Sequence, residues 1–189
     1  NTSAYDPAQA PLVEFFNSYF GGGMGSVVFQ TLRESKALAY STYAFYNTPP
    51  KKGEQYTLIG YIGSQADKFD EAVAGMNSLL NALPESPVAL EAARKGMKKN
   101  FETERILQDG PIYTYLAAEE RGVTDDERKR IYEALDKMSY ADLKKFSQQY
   151  LANQPYTYCV VASEKRVSPE QLAKVGTVKK LTLEEIFGY

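Results

Sequence analysis

Histidine is absent from all 189 residues, so a catalytic metal centre held by imidazole nitrogens cannot be assembled from this chain alone. Cysteine occurs once, as Cys159 in the apolar run YTYCVVA. It cannot form an internal disulfide, is expected to be a small buried residue, and leaves the redox compartment undecided. No apolar stretch approaches the roughly 18 to 20 residues of a membrane-spanning helix. The opening NTSAYDPAQA has neither a basic nor an apolar leader segment. Charge is nearly balanced, with a formal net of −2 and a pI near 5.4, which gives no whole-chain reason to expect nucleic acid or an anionic membrane surface as partner. Tryptophan is missing too, but tyrosine is plentiful at 15 residues, as suits half-wet sheet faces or a peptide-contacting surface.

What is present has the length of one domain, with 43% hydrophobic residues to supply its core. Leu12, Phe15, Phe16, Tyr19 and Phe20 repeat at helical spacing and form one apolar stripe. Gly21, Gly22 and Gly23 interrupt it. A second helix is predicted over residues 26–35, with Val28 and Leu32 one turn apart. From Leu38 the period becomes two: Leu38, Tyr40, Thr42, Ala44 and Tyr46 face one way, and Ala39, Ser41, Tyr43 and Phe45 the other. Pro49, Pro50 and Gly53 mark a turn, and residues 55–62 are predicted to return antiparallel.

Beyond the hairpin helices dominate. Asp67 and Asp70 head the stripe Phe69, Val73, Met76, Leu80 and Leu83, which ends before Pro84. Ser86 and Pro87 open a long basic helix that Gly110 and Pro111 are expected to end, with another over residues 111–121. Thr124 with Glu127, Ser139 with Asp142, and Thr182 with Glu185 read as capping boxes, and Ser168-Pro169 as a further helix start. Residues 155–162 are predicted to be a third strand. The order α-α-β-β-α-α-α-α-β-α implies an α+β two-layer sandwich, helices packed on one face of a largely antiparallel sheet.

The series Asn17-x-x-Phe20-Gly21-Gly22-Gly23-x-Gly25-Ser26, then Phe29-Gln30-x-Leu32-Arg33-Glu34, then Leu38-Ala39-Tyr40-Ser41 resembles a segment of the M16 (pitrilysin and mitochondrial-processing-peptidase-like) zinc metallopeptidases. That family binds zinc through an inverted His-x-x-Glu-His motif and a downstream Glu, which this chain lacks. The resemblance therefore implies the non-zinc-binding C-terminal half, with a LuxS/MPP-like fold. It implies one such domain over residues 1–189, with residues 166–189 as an extension packed on it. The family's domains open with strands that residues 1–10 do not supply, so the chain is expected to begin inside the domain. The lack of an initiator Met fits a processed or excised piece.

The sharp part of the match runs over residues 21–40, and element order extends it to about residues 10–165. It implies that Arg33 and Tyr40 reach across a closed chamber toward substrate and oxyanion, as an Arg fork and a phenol donor suit. Read from the residues alone, Arg33 pairs with a surface acid and Tyr40 packs in the sheet. Gly21, Gly22, Gly23 and Gly25 read as a flexible joint, near the chamber by resemblance. They are not a phosphate cradle, because no Lys follows and Ser26 fills the third Gly position of G-x-G-x-x-G.

The carboxylates around residues 102–127 have no His or Cys partners and read as solvated faces and caps, and Arg94, Lys95, Lys98 and Lys99 as a solvent face. No metal or cofactor is expected in the chain, zinc belonging to a partner half or subunit. A peptide is the expected substrate, with no nucleic acid and no membrane span. A homodimer through an exposed sheet edge is a further expectation. A non-catalytic scaffold subunit of the same fold is the alternative function. Periplasm and cytoplasm remain equally open.

Overall fold

The computed structural model describes residues 3–105, 107 and 109–189. Asp6 accepts the Ala8 N–H and starts a short 3-10 turn, Pro7–Gln9, that feeds α1 (Ala10–Phe20). Phe15, Phe16, Tyr19 and Phe20 are fully buried, as their spacing predicts, with Val13 beside them. After the glycines Ser26 caps α2 (Val27–Phe29): its hydroxyl accepts from the Phe29 N–H at 3.5 Å and donates to the Gly23 carbonyl at 2.7 Å. The helix then widens into a π turn, Gln30–Ser35, in which the Lys36 N–H reaches back to the Thr31 carbonyl at 3.1 Å. Val28 and Leu32 are both buried.

β1 (Ser41–Asn47) and β2 (Thr57–Gly63) form an antiparallel hairpin in the register Ser41↔Gly63 through Asn47↔Thr57. Thr42, Ala44 and Tyr46 point into the core. The helices that follow are α3 (Phe69–Asn81), α4 (Pro87–Thr103), α5 (Gly110–Arg121), α6 (Glu127–Ala134), α7 (Tyr140–Tyr150), α8 (Pro169–Ala173) and α9 (Leu183–Phe187). α1 is the hub, touching α4, α6, α7 and β1. An aromatic seam joins three of these elements: Phe146 of α7 lies 4.9 Å from Phe16 and edge-on to Tyr46 at 5.1 Å. The result is an α+β fold with helices on one face of an antiparallel sheet.

Several sequence expectations need correction. Residues 155–162 carry a strand pattern but form no ladder, because no strand lies beside them among the described residues. Cys159 within them is exposed rather than buried. β1 begins at Ser41, not Leu38: Ala37 adopts φ +50°, the Leu38 N–H bonds the Leu32 carbonyl, and Leu38 and Ala39 are both buried. Tyr40 thus leaves the inward-facing row and is 66% exposed.

α4 stops at Thr103, well before Gly110, where the Thr103 hydroxyl donates back to the Lys99 carbonyl at 2.7 Å. Asp126, not Thr124, caps α6, since its carboxylate meets the Lys129 N–H at 3.2 Å. Arg94 is no solvent-face residue. Its guanidinium donates to the carbonyls of Leu135 and Met138 and lies over the Phe15 ring, tying α4 to the turn before α7.

Candidate functional site

Arg33 sits in the π turn with its side chain about half exposed. Its guanidinium lies 4.8 Å above the Phe29 ring, and its Nε is 3.8 Å from the Glu34 carboxylate. Both contacts are weak in open solvent and leave the fork free to reorient. Tyr40 stands where the chain enters the hairpin, its N–H donating to the Gly63 carbonyl at 2.8 Å. The phenol oxygen accepts from the Gln65 amide at 2.6 Å, so its own proton remains available to an acceptor. Among the described residues no hydrogen bond or ion pair joins Arg33 to Tyr40.

The four glycines differ. A Cβ on Gly21 would stand 2.0 Å from the Ala44 carbonyl oxygen, so the end of α1 lies directly against β1. Asn17 fastens the same junction, donating to the Tyr46 carbonyl at 3.1 Å and accepting the Tyr46 N–H at 2.8 Å. A Cβ on Gly22 would be 2.8 Å from the Asn17 carbonyl oxygen, whereas Gly23, at φ +153°, has open space and Gly25 makes only ordinary contact with Ala92.

One surface was not singled out from sequence. The outward face of the hairpin presents Tyr43, Phe45, Ile59 and Tyr61, with the Tyr43 and Tyr61 rings stacked at 5.0 Å. It carries no charged residue on either strand. The period-two pattern assigned Tyr43 and Phe45 to this side, which was the available signal.

Two concavities lie elsewhere. One, of about 320 Å³, is lined by Phe101, Glu102, Arg128, Lys129 and Tyr132. The other, of about 130 Å³, is bounded by Ala10, Glu14, Thr48, Arg121 and Glu127. At its rim Glu14 has a carboxyl pushed above the usual range by desolvation and then by Glu127, against the pull of Arg121. The folded state therefore holds this proton more tightly than the unfolded chain, and stability contributed by Glu14 falls as pH rises through the unfolded pKa toward the folded one. Glu14→Gln is expected to raise the thermal midpoint at pH 7 and to lose that gain below about pH 4. An unchanged difference across that range contradicts the assignment.

There is no imidazole, and among the described residues no three Cys, Asp or Glu side chains converge on a point that could hold a metal ion. The fold is that of an α+β sandwich domain. Residues 2–97, just over half the chain, match the family described as the peptidase M16 inactive domain, and the chain belongs to that family. The fold is similar to the crystal structure of a peptidase M16 inactive domain from Pseudomonas fluorescens, with a TM-score of 0.59 and 17% identity over 77% of this chain. The chain spans 35% of that protein's length. No curated protein matches it.

Proposed function

We propose that this chain is the non-zinc-binding, C-terminal-type domain of an M16-like zinc metalloendopeptidase and forms one wall of its peptide chamber. The metal, general base and attacking water belong in this reading to a His-bearing half, in the same protein or in a partner subunit. The observation that carries it is the uncharged aromatic face of the hairpin, flanked by Tyr40 with an unspent O–H. An extended peptide laid on such a face buries apolar side chains against Tyr43 and Tyr61. Tyr40 is then placed to donate to a carbonyl oxygen that gains charge, and Arg33 to grip a carbonyl or carboxylate with its fork.

With the zinc half supplied, Arg33→Ala and Tyr40→Phe are each expected to lower turnover by about tenfold or more, the scale of a lost oxyanion donor. Steady-state kinetics on a peptide substrate make the test. Both side chains are exposed, so the fold is expected to survive either change. Unchanged turnover in both variants assigns the chain instead to a non-catalytic scaffold.

A further inference from the structure

Gln65 lies just beyond β2, and among the described residues its side chain makes one hydrogen bond: the amide nitrogen donates to the Tyr40 phenol oxygen at 2.6 Å. Its backbone is extended and fixed, the carbonyl accepting the Lys68 N–H at 3.0 Å where the 3-10 turn Ala66–Lys68 begins. Tyr40 is tied to the same strand end a second time, through its N–H on the Gly63 carbonyl. The Tyr61 hydroxyl reaches over Gly63, 3.0 Å from where a Cβ there would stand. The aromatic face of the hairpin therefore continues to the point at which the Tyr40 phenol is held.

We propose that Gln65 is a positioning residue for Tyr40, fixing the phenol by its oxygen and leaving the phenol proton for the carbonyl of a bound peptide. The inference rests on the reading of Tyr40 given above, as donor to an oxygen that gains charge. A tyrosine that is 66% exposed is free to turn about its side-chain bonds and to spin its O–H. A donor that must be oriented anew at each turnover loses much of its value at a developing charge. One bond from a backbone-anchored amide removes most of that freedom.

The direction of this bond matters as much as its length. A phenol donates its proton and can accept through its oxygen lone pairs at the same time. Because the amide nitrogen faces the oxygen, the bond to Gln65 spends a lone pair and not the proton, and it polarises the O–H toward a stronger donor. An acceptor in the same place would take the proton away from the substrate. Gln65 is thus distinguished from a side chain that merely packs on the ring.

The test is steady-state kinetics of the peptidase assembled with its zinc half, on one peptide substrate. Gln65→Leu is expected to lower kcat about threefold to tenfold, the worth of one hydrogen bond, with KM unchanged. Gln65→Glu, similar in shape but able only to accept when ionised, is expected to lose more, about tenfold or above, as Tyr40→Phe does. Gln65→Lys offers donors only and is expected to stay within about threefold of the wild type. In a Tyr40→Phe background none of these substitutions is expected to change turnover by more than about twofold, because the group they act through is gone.

Gln65 and Tyr40 are both exposed, so folding is expected to be unaffected, which circular dichroism checks. Normal turnover in Gln65→Leu beside a slow Tyr40→Phe overturns the positioning role and leaves Tyr40 as donor. So does full activity in Gln65→Glu, or a loss that persists in the Tyr40→Phe background, since residue 65 would then be acting on the substrate directly. Normal turnover in Tyr40→Phe itself removes the donor reading, and the role of Gln65 with it.

Discussion

Gly21→Ala is expected to cost about 3 to 5 kcal/mol of folding stability, a sum of overpacking and lost hydrogen bonds. The added methyl carbon would sit 2.0 Å from the Ala44 carbonyl oxygen and 2.5 Å from the Ala44 nitrogen. Neither is the end of a side chain that can rotate away. Relief requires α1 to lift from β1, which stretches both hydrogen bonds between Asn17 and the Tyr46 backbone and opens the buried seam behind them. Because small domains are stable by only about 5 to 15 kcal/mol, the variant is expected to be partly unfolded. Denaturant titration measures the loss, with Gly25→Ala as control: its new Cβ would lie 3.9 Å from Ala92, and a change within about 0.5 kcal/mol is expected. Equal losses for the two variants would remove the steric explanation.

Phe146→Ala is expected to be the most costly truncation in the core, at about 3 to 5 kcal/mol. Phe146 is 2% exposed, and its ring meets Phe16 at 4.9 Å, Tyr150 at 5.0 Å and Tyr46 at 5.1 Å. Deleting it removes a shared contact of α1, β1 and α7 and leaves a void between rigid rings that have little freedom to close it. Phe146→Leu keeps most of the volume and is expected to cost about 1.5 kcal/mol or less. A loss below about 1 kcal/mol for the alanine variant would mean that the site relaxes, against this packing argument.

The elements that were legible in the sequence are those whose signals are local. Ser139 and Asp142, and likewise Thr182 and Glu185, form the reciprocal capping boxes that their spacing predicts, since such a cap depends only on four consecutive residues. The face of α1 was legible because helical periodicity alone decides which side is apolar. The misreadings lie where distant parts of the chain decide. Residues 155–162 needed a neighbouring strand, which no window of sequence can supply. Tyr40 followed the alternation of β1 on paper, but the turn at Ala37 brought Leu38 and Ala39 both inward and left the phenol outside. Asp126 displaced Thr124 as a cap because two short polar side chains compete for one set of N–H groups.

The candidate surface divides the same way. Arg33 and Tyr40 were singled out by the family resemblance, and only the outward orientation of Tyr43 and Phe45 followed from period two. The setting of Arg33 and Tyr40 did not follow, because the Gln65 amide on Tyr40 and the Phe29 ring under Arg33 depend on the folded loop and on a widened helical turn.

That widened turn, Gln30–Ser35, holds one residue more than a regular helical repeat would place there. Excising a single residue from it would let the segment wind as an ordinary helix and swing every later position by about 100°. The direction in which Arg33 reaches is thus written into the length of the backbone as much as into the identity of the side chain, and an insertion or deletion here would re-aim it without any change of charge.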